Sequence, residues 1–396
     1  MANNKKKPQD TSLEGRVEAL EEKVSDQEAR ILSLEEDVTE LDDRVEALEA
    51  GGSVEPPVEP PVEPPVEPPL EPGEGPVIKG AKINGQTQPD GDGPSLAARL
   101  KDGDVLWLPP GKWTATMSIR APNVRVTADE PVDGEWPTTL SCKGIRPSGD
   151  KGVIQAVGDN LTIENLELCD AEISAAMGQN AAGIRIEPQI KVTMRFLHIH
   201  DCQMGLLTYN NRLTIEDCWV HDNGTPDPAR SGQEVYISGG TAAGTLAEAS
   251  AVLRRCRVTC GPNAVHAVKS RGAVTEIEDC DLTGNGSTAT RKGGNVVNVP
   301  DGGDVTISTT RIVNPAGNQQ SNIFGYGVES ASAPGREVVF DRVELIRDSG
   351  NIFLYNHAAL TPEASLEIID STYQTGSGRL ELTGWQEVRG EFASAS

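Results

Sequence analysis

The chain has 396 residues, a formal net charge of −25 and 24 % charged residues, with 4 % aromatics but 41 glycines and 27 prolines. That length allows two or three domains, and the acidic balance excludes a nucleic-acid partner, which would need clustered Lys and Arg. No apolar stretch of about 18 residues exists, so no helical membrane insertion is expected.

Residues 1–10, MANNKKKPQD, carry basic side chains without an apolar run after them. They read as a disordered N-terminus with no secretory leader. The seven cysteines are odd in number and form no CxxC pair, which argues against a disulfide framework or a zinc site. Reduced thiols and assembly in a cytoplasm are the simpler expectation.

Residues 11–50 keep an unbroken heptad. Leu13, Leu20, Leu34, Leu41 and Leu48 fall on d, with Gln27 as the polar d; Val17, Val24, Ile31, Val38 and Val45 fall on a. Such a seam supercoils left-handedly and must be buried by partner chains. β-branched residues at a with Leu at d suit a parallel dimer. A second pattern points to three chains: Arg16 through Glu21, Arg30 through Glu35 and Arg44 through Glu49. It resembles the Arg-h-x-x-h-Glu trimerisation motif of short parallel coiled coils, and a homotrimer is the expectation. Residues 51–76 form the next segment, almost wholly Val, Glu and Pro over 53–76. Proline at this density forbids helix and favours a stiff polyproline II linker.

From residue 77 to 396 the composition shifts to Gly, Asn, Asp and β-branched residues, and a short phrase recurs eight times. Leu161-Thr162-Ile163-Glu164-Asn165-Leu166-Glu167-Leu168 is the clearest copy; the fourth, Val252–Val258, reads as one residue short. Starts lie 21 to 39 residues apart, the period of a solenoid coil with loop insertions. Apolar residues at the first, third, sixth and eighth positions, around a polar fifth, describe two short strands joined by a one-residue bend. Asn165, Asp217, Asp279 and Asp370 suit the bend, because short polar side chains tolerate a left-handed backbone. A third strand precedes each phrase, for example Ala182–Ile186 and Glu234–Ile237. Three strands per turn make a mainly β fold, a right-handed parallel β-helix whose backbone edges stay open only at its two ends.

The entry segment Pro94–Leu100, followed by Val105-Leu106-Trp107-Leu108-Pro109-Pro110-Gly111, resembles the opening of the pectate-lyase-like β-helix superfamily. The resemblance implies a short capping helix before the first strand. It leaves the activity open, because lyases, hydrolases, epimerases and adhesins share the fold. The domain order of stalk, spacer and head resembles bacteriophage tail spikes, tail fibres and head fibres.

Candidate site residues fall in two groups. Asp170, Asp201 and Asp222 close three successive phrases, with His200 and His221 before the last two. Coils about 4.8 Å apart would stack these groups; capping of the repeat corners explains the same carboxylates without chemistry. The loop from His221 to Arg230 and the strand after it supply Asp222, Asp227 and Glu234 as further acids. Arg185, Tyr236, His266 and His221 then make a sugar-binding strip. No cofactor is implied. The column Cys218, Cys256 and Cys280 lacks the His or Asp neighbours of a metal site and reads as buried small hydrophobes. The leading expectation is a trimeric virion appendage that contacts other virion proteins and binds a bacterial surface polysaccharide without catalysis. The alternative is a polysaccharide depolymerase, a lyase or glycoside hydrolase, with Asp201, Asp222, Asp227 and Glu234 as its acids.

Overall fold

The computed structural model describes residues 77–395 apart from 189, 210, 226–231, 239–248, 287–293, 317–321, 330–335, 349, 358–360 and 362. The heptad segment 11–50, the linker 51–76 and Asp227 lie outside the described residues.

The described chain is a parallel β-helix of three sheets, with thirteen, eleven and ten strands among the described residues. The first sheet runs from Val105–Trp107 through Leu161–Glu164 and Ser365–Ile369 to Glu387–Arg389, with a small antiparallel pair at its start. The second holds Gly111–Thr114, Glu167–Cys169, His198–His200 and Trp219–His221 among others, and the third Ala182–Ile186, Met204–Tyr209, Gly232–Ser238 and Ala264–Ser270. Each strand pairs in parallel with those one coil above and below, so the ladder follows the helix axis.

The recurring phrase is the corner between the first two sheets. Its first-position residues Leu161, Val192, Leu213, Ala251, Val305 and Leu366 stack in the interior, as do Ile163, Met194, Ile215, Leu253, Ile277 and Phe340 at the third. Ala251 pairs with both Leu213 and Thr275. The fourth copy is therefore complete; its small first residue hid it. The fifth residue of every copy is left-handed, with φ of 61° at Asn165, 55° at Asp217, 53° at Asp279 and 44° at Asp370. The same conformation is imposed on Phe196, Arg255, Thr309 and Arg342, where no short polar side chain eases it.

Both ends of the interior are closed. The helix Gly93–Ala97, capped by Asp92 accepting from the Ser95 N–H at 2.9 Å, lays Leu96 and Ala97 over the first coil. A Cβ on Gly93 would stand 2.2 Å from the Thr116 carbonyl oxygen, so only glycine allows this approach. Toward the other end the aliphatic ladders give way to aromatics. Phe324 packs edge-on against Phe340 with centroids 5.3 Å apart, and Phe392 meets Phe340 at 5.9 Å. Cys218, Cys256 and Cys280 form an interior column, and all seven cysteines are buried free thiols.

Candidate functional site

The fold sends the candidate residues to two different faces. Arg185, Glu234, Tyr236 and His266 belong to third-sheet strands. His221 ends a second-sheet strand, and Asp201 and Asp222 follow two such strands at the next corner, each left-handed with φ 53°.

On the third sheet the outward column reads Arg185, Leu207, Tyr236, Lys269 and Asn298. The Nε of Arg271 donates to the phenol oxygen of Tyr236 at 3.0 Å, while the Nζ of Lys269 stands 5.5 Å over the same ring. Arg271 is held by Asp301 at 2.6 Å and by Glu329, which also accepts from Lys269 at 2.7 Å. These two cations keep the Glu329 carboxyl below its ordinary range against the opposing effect of burial. Two coils away Arg185 covers the Tyr209 ring at 4.7 Å and donates Nη2 to its hydroxyl at 2.9 Å. Arg185 is 6 % exposed, and its Nε and Nη1 are buried with no hydrogen-bond partner among the described residues. The sequence separations from His221 to Gly232, Ser238 to Ser250, Thr283 to Val297 and Tyr326 to Glu337 are long, and each lies before or after a third-sheet strand.

Two residues expected on that surface lie beneath it. Glu234 is fully buried; its carboxyl accepts from the Gly261 N–H at 2.9 Å and from the Asn223 side chain at 2.6 Å. Burial pushes its pKa up to about 8 although these donors favour the charged form. It is a strut under the corner, not an exposed acid. A register shift between Gly232 and Gln233 sets His266 beside Gln233 and puts Lys269 next to Tyr236. His266 is therefore buried, with Nδ1 2.7 Å from the Asn295 carbonyl oxygen, and burial lowers its pKa to about 4.

On the second sheet the expected stacking of carboxylates and imidazoles is present and larger than expected. His200 and His221 stack at 5.4 Å, and each pairs through Nδ1 with the next aspartate at 2.7 Å, Asp201 and Asp222 respectively. His198 bonds His221 through Nε2 at 2.7 Å, and Glu167 reaches the Nε2 of His200 at 3.0 Å. Trp136 and Trp219 flank the His198 ring at 4.7 and 4.6 Å. Asp170 accepts from the Ser141 hydroxyl of the neighbouring coil at 2.6 Å. Beside the cluster, Lys143, Asp170, Glu172 and Asp201 line a cavity of about 570 Å³.

Sequence reasoning missed Lys269, Arg271, Glu167 and His198. The alternation His198-x-His200 places both rings outward and was readable. The pairing of Lys269 with Tyr236 was not, because it depends on the register shift.

The family described as right handed beta helix region matches residues 136–312. No curated protein sequence matches the chain. Among solved structures, an alginate lyase from Paenibacillus sp. str. FPU-7 is similar at 16 % identity and a TM-score of 0.51, covering 76 % of this chain and 95 % of that one. The pectate lyase Pel9A is similar at 11 % identity and a TM-score of 0.49, covering 75 % and 72 %. At 16 % identity the likeness to the alginate lyase shows the fold alone.

Proposed function

We propose that the chain is a polysaccharide depolymerase that cleaves an acidic, uronate-containing polymer by β-elimination on the third-sheet face. The observation that carries this reading is the phenol of Tyr236 held between two cations, Arg271 at 3.0 Å from its oxygen and Lys269 over its ring. Arg271 and Lys269 supply positive charge where the uronate carboxylate gathers negative charge as its neighbouring carbon loses a proton. Tyr236, as the phenolate, takes that C5 proton. The electron pair becomes the C4–C5 double bond, the C4–oxygen bond breaks, and the leaving oxygen takes the proton from Tyr236. Arg185, over the Tyr209 ring two coils away, extends the positive charge of this face along the polymer. An alginate lyase carrying the same fold is consistent with such chemistry on this scaffold.

One observation favours a second reading, binding without turnover: Asp301 and Glu329 already pair with the cations beside Tyr236. Under either reading the heptad of residues 11–50 supports a homotrimer, and the stalk-and-head order supports a virion appendage acting on a bacterial surface polysaccharide. The test incubates the full chain with polyuronates and bacterial surface polysaccharides, following ultraviolet absorbance of the unsaturated product and reducing ends. Both signals rising together support elimination, and reducing ends alone indicate hydrolysis. Retention of polymer with neither signal leaves the binding reading, and no retention overturns both.

A further inference from the structure

We propose that Glu167, His198 and His200, on the second sheet, form a binding site for one divalent transition-metal ion of the Zn²⁺ class. Their ligand atoms, Glu167 Oε1, His198 Nδ1 and His200 Nε2, all lie within 4.8 Å of one another. Glu167 Oε1 is 3.0 Å from His200 Nε2 and 3.5 Å from His198 Nδ1. Atoms bound tetrahedrally at about 2.0–2.1 Å to one zinc ion stand about 3.3 Å apart, so the pairs that Glu167 makes already have the spacing of a coordination shell.

The hydrogen bonds around the cluster decide where the ring protons sit. Asp222 needs a donor, so His221 carries its proton on Nδ1 and presents Nε2 as an acceptor. His198 then donates through Nε2 to His221 at 2.7 Å, which leaves a lone pair on His198 Nδ1. Asp201 takes the Nδ1 proton of His200 at 2.7 Å, which leaves a lone pair on His200 Nε2. In these tautomers three ligand atoms face one another around one point. A cation resolves that arrangement. The outer nitrogen of each ligating ring is engaged, His200 by a carboxylate and His198 by a histidine that itself binds a carboxylate, as second-layer support of metal ligands requires. The Thr139 hydroxyl binds the other oxygen of Glu167, and Trp136 and Trp219 hold the His198 ring. Two imidazoles and one carboxylate select a borderline transition metal over Ca²⁺ or Mg²⁺, and three protein ligands leave a position open for an outside group. The ligand side chains are 14–21 % exposed, within reach of an ion from solvent.

The site stands on a different sheet from Tyr236, so either reading can fail without the other. The test uses the full chain, free of any affinity tag and stripped of metal. Zn²⁺ is titrated calorimetrically, and Co²⁺ is added for its visible spectrum. One ion per chain, a tetrahedral Co²⁺ spectrum and a melting temperature raised by Zn²⁺ are expected. His200→Ala and Glu167→Gln abolish all three. Asp201→Asn weakens Zn²⁺ binding about 10–100-fold, and Asp281→Asn, further along the same face, leaves it unchanged. Circular dichroism of the metal-free variants checks that each is folded. Absence of Zn²⁺ binding, binding unchanged in His200→Ala, or Ca²⁺ binding as tightly as Zn²⁺ would overturn the assignment.

Discussion

The side-chain amide of Asn223 donates to the carboxyl of Glu234 at 2.6 Å, deep beneath the corner where the second sheet turns into the third. Asn223 also accepts the Cys202 N–H at 3.0 Å, and Glu234 accepts the Gly261 N–H at 2.9 Å. The pair thus ties neighbouring coils together through buried backbone groups. Removing the carboxyl strands buried donors. Glu234→Ala should destabilise the protein by about 2–4 kcal/mol, read by denaturant unfolding of the full chain. A loss below the error of that measurement would count against the strut.

Glu234 also makes stability depend on pH. Its folded pKa is raised to about 8 by burial, so between the unfolded value and about 8 the native state binds more protons than the unfolded chain. Its contribution is complete below the unfolded value and is lost as pH rises through about 8. The melting temperature should fall as pH rises from the unfolded value to about 8, and Glu234→Gln, which cannot ionise, should flatten the fall.

His266 acts at the other end of the scale. Burial lowers its folded pKa to about 4, and the ring bonds the Asn295 carbonyl oxygen at 2.7 Å. Between about 4 and the ordinary histidine value the unfolded chain binds more protons, so stability drops as pH falls through that window. The loss attributable to this group is about 3 kcal/mol for the shift from 6.5 to about 4. His266→Gln should remove that part of the acid-side slope; an unchanged slope would show that the imidazole is not its source.

Thr309 sits at a bend with φ 48°, a left-handed conformation that costs a β-branched residue more than asparagine. Thr309→Asn should stabilise the protein by about 1 kcal/mol. Equal or lower stability would mean that the hydroxyl contributes more than the backbone strain removes.

At the proposed active face, Tyr236→Phe should lower kcat by about 10²–10⁴-fold while retention of the polymer persists. Arg185→Ala should raise KM and leave kcat near the wild-type value. A Tyr236→Phe variant with full turnover would remove the phenol from the mechanism.

The coiled coil proposed for residues 11–50 is a matter for hydrodynamics. A peptide of residues 11–50 should sediment as a trimer, and so should the full chain. A dimer would show that the β-branched a positions outweigh the Arg and Glu pattern.

How much of this was legible follows from how local each signal is. The phrase around Asn165 and Asp217 was readable because alternation and the bend lie within eight residues. Ala251 broke the pattern because a methyl group fills an interior position without looking apolar enough to mark it. Asp201 and Asp222 were found from their spacing, along with the imidazoles beside them. Glu167 and His198 were not, though they lie on the same face. The Tyr236 face was half read. Tyr236 and Arg185 do point outward on one column, but Lys269 takes the place expected of His266. The shift at Gly232 is a non-local irregularity, and Arg271, Asp301 and Glu329 arrive from sequence-distant coils.

The left-handed bend has a consequence for how such a chain can change over generations. A hinge that admits one residue fixes the angular phase of every coil, so a single insertion at Asn165 or Asp279 would turn apolar side chains outward along the rest of the strand. The margins of the third sheet carry no such constraint. Length can vary there from coil to coil while the spine keeps its pitch. New specificities can therefore be tried on one face of the solenoid without renegotiating its interior.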